Sequence, residues 1–353
     1  MGKRISKNMI KLRSEGYDSF IDYLKGICIV LVILTHCIPS AIRRQTFFAF
    51  WGLPAVPIFL IIQVFHTYKK GLDNVKRTDF NKIWQRIIKP FLLVELFLIL
   101  TILCIKISTS NTPDLKHFFI NIVKYGGRGS GSYFPWIYIQ FAIILPLLVP
   151  ILKRINDKYL AVTFILFSEL IEILCNIVDM PEFCYRLLFL RYSMLIYLGY
   201  ILATKGFILN WKTLLLSIIS AVSMFLLVYK NLHFSPWIFY VPNWKSCHWI
   251  CYFYIAYILF FIFHFLYQKT KRHKKICQFV KKMGLYSYEI FLFQMAYFDF
   301  HHYVVDFYHW LIDKSMYANI FAIVTALIIC VVPVVLYKEH KASSFSYKVT
   351  GNE

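Results

Sequence analysis

The sequence predicts an all-α fold: a polytopic membrane helix bundle of about ten transmembrane helices, with N- and C-termini cytoplasmic. Composition, the spacing of apolar runs and the placement of Lys and Arg carry that prediction. Of 353 residues, 59% are hydrophobic, 19% aromatic and only 16% charged, where a soluble domain carries about 25% charged residues. A chain this apolar has too little polar surface to meet water over a whole fold, and lipid is the solvent that fits. The formal net charge is +21, which in a soluble protein would point to nucleic acid. Here the basic residues sit in short clusters between apolar runs, as in cytoplasmic loops, so no nucleic-acid partner is expected.

A spanning helix needs roughly 20 mostly apolar residues. Ten segments meet that need: 22–42, 47–67, 88–107, 133–152, 159–178, 187–204, 213–230, 248–267, 285–304 and 317–337. The second is punctuated by Pro54 and Pro57, which neighbouring helices can accommodate in a bundle. With the N-terminus placed in the cytoplasm, the inside segments hold 27 of the 39 Lys and Arg residues and the outside segments 11, the asymmetry that sets orientation. No repeat or long linker divides the chain, so residues 1–353 form one domain with cytoplasmic tails at 1–20 and 338–353. The first apolar run has no small-residue cleavage site after it and is expected to be a retained helix. Nine cysteines show no paired framework. Cys247 and Cys251 flank His248, a weak metal pattern, and no metal or prosthetic group is expected.

Two outer loops have their own character. Residues 108–132 include Gly126-Gly127-Arg128-Gly129-Ser130-Gly131, and residues 231–247 are rich in Trp, Tyr and Pro. Such loops suit sugar stacking; an interfacial aromatic belt beside a plain loop fits them equally well.

Ionisable groups inside a membrane cost at least about 2.5 kcal/mol each on the insertion scale, so each is a candidate for function. Helix 1 carries Asp22, Lys25 and His36. The eleven positions from Lys25 to His36 make almost three helical turns, so both share a face, about 16 Å apart along the axis. Asp22 lies on that face too. Taken singly, the charge pair reads as an interfacial ion pair with a snorkelling lysine, and His36 as a satisfied polar residue; together they read as a site. Before helix 3, Lys82, Arg86 and Lys89 are spaced as one basic stripe, suited to phosphates or to anionic lipid. Glu95 lies deeper on the side opposite Arg86, and Arg191, early in helix 6, needs a partner.

At this point the residues resemble a family. Phe20 to His36, with Lys25 and His36 in an Arg/Lys-x10-His spacing, resembles the first-helix signature of the membrane-bound acyltransferase 3 family. The run Arg86-Ile87-Ile88-Lys89-Pro90 is similar to its basic segment before a Pro. Tyr133-Phe134-Pro135-Trp136 through Gln140 to Leu148 is similar to its fourth-helix pattern, and Gly284-Leu285-Tyr286-Ser287-Tyr288-Glu289 through Gln294 to its late Gly-x-x-Ser-Tyr motif. Two departures stand out: Gln294 stands where the family often has His, and the basic pair Arg86 and Lys89 is unusually spaced.

The resemblance implies an O-acyltransferase in the bacterial cytoplasmic (inner) membrane. It would take acetyl from cytoplasmic acetyl-CoA to a hydroxyl of a cell-surface polysaccharide or its lipid-linked precursor. His is the natural base for a hydroxyl near neutral pH. His36, Lys25 and Asp22 are then the catalytic candidates, with Arg86, Lys89 and Lys82 on the CoA phosphates. Trp136, Gln140, Arg191, Glu95 and Glu289 are candidates to line the cavity. The partners are acyl-CoA, the glycan acceptor and membrane lipid, and a homo-oligomer is compatible with them. A transporter or flippase for an anionic lipid-linked glycan would use the same cations, and a non-catalytic scaffold would need none of them.

Overall fold

The computed structural model describes residues 14–71, 80–108, 115–207, 209–230, 248–300, 306–307, 310 and 316–350. Among them no strand occurs. The helices are α1 (Ser14–Cys37), α2 (Ser40–Gln45), α3 (Phe48–Trp51), α4 (Ala55–Gly71), α5 (Phe80–Ile83), α6 (Lys89–Ser108), α7 (Leu115–Tyr125), α8 (Tyr133–Leu152) and α9 (Asp157–Ile177). They continue as α10 (Glu182–Leu187), α11 (Ser193–Lys205), α12 (Trp211–Tyr229), α13 (Tyr252–Tyr254), α14 (Phe260–Thr270), α15 (Lys274–Leu285), α16 (Ser287–Asp299) and α17 (Met316–Thr350).

Eight helical stretches among the described residues are long and apolar enough to cross a membrane. The chain is a multi-pass, all-α membrane bundle. The other two of the ten segments read from sequence form shorter helices. Segment 187–204 begins as a 3-10 turn, Phe189–Tyr192, before α11. Segment 285–304 yields the 13-residue α16, and its last residues fall outside the described set. The aromatic loop 231–247 lies outside the described residues as well.

Burial sorts the helices. The span Phe48–Lys69 is 72% buried, whereas Phe80–Ile105 and Trp211–Tyr229 are 22% buried. On α6 the exposed residues Leu92, Leu93, Leu96, Phe97 and Leu100 form an apolar outer face, as expected where lipid replaces water. Pro54 sits in the turn before α4, and Pro57 falls in its first turn, where a missing N–H costs nothing. Close approach between backbones comes from small residues, as is usual in membranes. A Cβ on Gly199 of α11 would stand 2.9 Å from the Ile61 carbonyl oxygen of α4.

The basic run 269–282 is more than the inside loop that its Lys and Arg count indicated. Most of it belongs to α15, whose Cys277, Val280, Met283 and Gly284 are buried. The helix packs chiefly on α1. These residues recur at the three-to-four spacing of one helical face while the lysines occupy the other. A charge count sees the lysines and misses that period.

Candidate active site

α1 is continuous from Ser14 to Cys37, so the predicted common face of Lys25 and His36 is realised on one helix. Near its start, Lys25 and Asp22 form an ion pair at 2.7 Å. There α15 locks onto α1: a Cβ on Gly284 would lie 1.7 Å from the Asp22 carbonyl oxygen, and one on Gly26 would lie 2.0 Å from that of Val280. Beside the lock, Lys281 donates to the Ser19 hydroxyl at 2.9 Å.

The predicted stripe of Lys82, Arg86 and Lys89 is exposed, but its backbone is irregular. Trp84–Ile88 is a π turn between α5 and α6. Pro90, which cannot donate an N–H, lies just after it, and π turns often mark functional sites. The wider turn departs from a strict i, i+4, i+7 alignment. Tyr288 donates its hydroxyl to the Ile87 carbonyl at 2.8 Å. The Gly-x-x-Ser-Tyr segment therefore has a physical role at each end: Gly284 admits α1, and Tyr288 holds the π turn. That junction of α15 and α16 meets the Asp22 backbone through Gly284 and the Ile87 backbone through Tyr288, so the Lys25–Asp22 pair and the Arg86–Lys89 turn flank it. Glu289 is ion-paired with Lys338 of α17, and Lys282 is ion-paired with Glu339. Glu289 thus ties α16 to α17 at this basic end.

The other predicted residues gather toward the opposite end. His36 meets Phe298 of α16, ring centroids 5.4 Å apart. The glycine loop docks there against α6 and α16. Glu95 accepts from the Arg128 backbone N–H at 2.7 Å, the Arg128 side chain pairs with Asp299 at 2.8 Å, and Gln294 donates to the Ser130 carbonyl at 3.1 Å. Trp136 donates its indole N–H to the Gly126 carbonyl and stacks edge-on with Phe91 at 5.7 Å. Gln140 donates to the Leu187 carbonyl at 3.1 Å. Trp136 and Gln140 thus brace the loop and the chain before α11.

Arg191 is 1% exposed and sits in the 3-10 turn rather than within a helix. Its guanidinium lies over the Tyr185 ring at 4.1 Å and near the Tyr192 ring at 4.8 Å. The acid that balances it is Glu172, whose electrostatic partner it is. Tyr185 donates to the two Glu172 carboxylate oxygens at 3.0 and 2.8 Å. Burial raises the Tyr185 phenol well above its ordinary pKa, which keeps it a donor. One turn away, Trp249 donates to Glu169 at 2.7 Å. The sequence reading passed over Glu169 and Glu172, although two carboxylates inside the apolar run 159–178 meet the criterion that singled out Glu95. Asp299, inside segment 285–304, meets that criterion as well, whereas Arg128 carries no such signal and only the folded loop brings the two together. No group of three His, Cys, Asp or Glu among the described residues could hold a metal ion.

The geometry thus has two polar ends joined by α1 and α16: a group of Lys and Arg side chains at one, and an imidazole with a half-buried glycine loop at the other. A family profile described as an acyltransferase domain, acyltransferase 3, matches residues 18–337. Comparisons with curated proteins and with solved structures returned no match. The match spans α1 through most of α17 and includes all four of the quoted motifs, so the chain belongs to the acyltransferase 3 family and is a multi-pass membrane O-acyltransferase.

Proposed function

We propose that this protein transfers acetyl from acetyl-CoA to a hydroxyl of a bacterial cell-surface polysaccharide or its lipid-linked precursor, in the cytoplasmic membrane with both termini inside. The observation that carries the reading is α1 itself. One helix presents the Lys25–Asp22 pair at the basic end and His36 near the other, about 16 Å further along.

Lys25, Arg86 and Lys89 border one junction, and guanidinium and ammonium groups suit the phosphates of CoA. Asp22 orients Lys25, and Lys82 adds charge at the rim. At the far end His36 takes the proton of the acceptor hydroxyl as its oxygen attacks the thioester carbonyl. The C–O bond forms, the C–S bond breaks, and CoA leaves as the thiol once it gains that proton.

Proton NMR of surface polysaccharide from cells with wild type, a deletion and His36→Ala tests this. Loss of O-acetyl signals in both mutants, with the glycan intact and His36→Ala still expressed, is the expected result. Unchanged acetylation in both would refute it, and loss of the whole glycan in the deletion would favour a transporter.

A further inference from the structure

The glycine loop is held by two side chains that each use half of their polar end. Glu95 spends Oε2 on the Arg128 N–H, and its buried Oε1 has no hydrogen-bond partner among the described residues. Gln294 spends Nε2 on the Ser130 carbonyl, which fixes Oε1 as the atom left over, and that atom also has no partner. Glu95 is 6% exposed and Gln294 is fully buried. Both border the loop: a Cβ on Gly127 would stand 2.4 Å from Glu95 Oε1, and one on Gly131 would stand 3.9 Å from Gln294 Nε2. Buried acceptors without donors are rare and unfavourable.

The loop backbone is built to lie close. Gly126, Gly127, Gly129 and Gly131 all have positive φ, which glycine adopts without strain. On α16, Phe298 lies one turn beyond Gln294 and touches His36.

Resting on the function proposed above, we propose that Glu95 and Gln294 form the acceptor subsite, taking hydrogen bonds from two sugar hydroxyls of the glycan beside His36. The loop shifts to admit the sugar. The chemistry is selective: a hydroxyl donates to both oxygens, whereas a phosphate or carboxylate would meet lone pairs. The subsite therefore takes an uncharged, hydroxyl-bearing part of the acceptor.

Full-length protein in nanodiscs, with radiolabelled acetyl-CoA and polysaccharide extracted from the deletion strain, tests the assignment. Glu95→Gln keeps an oxygen for the Arg128 N–H and turns the remaining acceptor into a donor; Gln294→Leu removes the second acceptor. Each should raise KM for polysaccharide at least tenfold and leave KM for acetyl-CoA within twofold, and Glu95→Asp should recover part of the loss. If Gln294→Leu fails to fold, the isosteric Glu95→Gln decides alone. An unchanged polysaccharide KM, as water on these atoms would give, overturns the subsite. So does a fall in kcat with both KM values unchanged and a lowered melting temperature, the mark of a structural loop anchor. Absence of any transfer by the wild type would instead overturn the function on which the subsite rests.

Discussion

Replacing Gly284 with alanine tests how closely α15 must approach α1. The added Cβ would stand 1.7 Å from the Asp22 carbonyl oxygen and 2.9 Å from the Gly26 nitrogen, where ordinary contact begins near 3.4 Å. The helices would have to part by about 1.7 Å, because the obstructing atoms are helix backbone and cannot swing aside. Overpacking typically costs 1–3 kcal/mol, and a backbone clash belongs at the upper end, about 3 kcal/mol. Parting α15 from α1 also draws the Lys25–Asp22 pair away from the Tyr288-held turn. In detergent, fluorescence-detected size exclusion after heating should show a lowered melting temperature, and acetyl transfer by the folded fraction should fall more than tenfold. Gly206 is the control: its φ is +74° but a Cβ there meets nothing within 4 Å. Gly206→Ala meets no neighbour and should cost only the strain of a φ +74°, ψ −170° backbone that favours glycine, about 1–3 kcal/mol, and spare activity. Wild-type melting and acetylation in Gly284→Ala would refute the account of the lock.

Arg191→Met should destabilise the protein by about 3–5 kcal/mol, because it strands Glu172 in a buried site; Arg191→Met combined with Glu172→Gln should regain much of that, and purely additive losses in the thermal assay would refute the pairing. Tyr288→Phe removes one hydrogen bond worth about 1 kcal/mol, so KM for acetyl-CoA should rise up to about fivefold at unchanged kcat. An unaltered KM would show that the π turn holds its shape without Tyr288.

The sequence was most legible where a residue type is costly in lipid whatever surrounds it. Asp22, Lys25, Glu95 and Arg191 stood out for that reason, and helical period alone put Lys25 and His36 on one face. Glu172 obeyed the same rule and was passed over, so its pairing with Arg191 became visible only in the fold. The two short helices were harder. A 3-10 turn opens segment 187–204, and α16 stops at Asp299 within segment 285–304, where hydropathy reads whole runs. The docking of the glycine loop was not legible, because Arg128 and Asp299 are 171 positions apart and neither pattern names the other. Trp136 and Gln140, read as cavity candidates, turned out to hydrogen-bond backbone carbonyls, a use that single-sequence reasoning cannot separate from ligand binding.

α1, α6 and α16 each touch both groups of polar residues, and that bears on how an acyl group could pass between them. Between Lys25 and His36 the buried side chains of α1 are Cys28, Ile29, Leu31, Val32 and Ile33; on α16, the buried Ile290, Phe291 and Leu292 lie between Glu289 and the loop-binding Gln294. None of these offers water a hydrogen-bonding path. A thioester in water is exposed to hydrolysis, and a site that expels water protects a reactive group until its intended acceptor arrives. On the proposed reading, the apolar stretch between the two ends is therefore part of the chemistry. It lets the long arm of the donor reach His36, where the acceptor subsite holds the attacking hydroxyl. A polar substitution at Ile29 or Ile33, both fully buried, should accordingly raise acetyl-CoA hydrolysis relative to transfer, and an unchanged ratio in a folded variant would count against a dry path along α1.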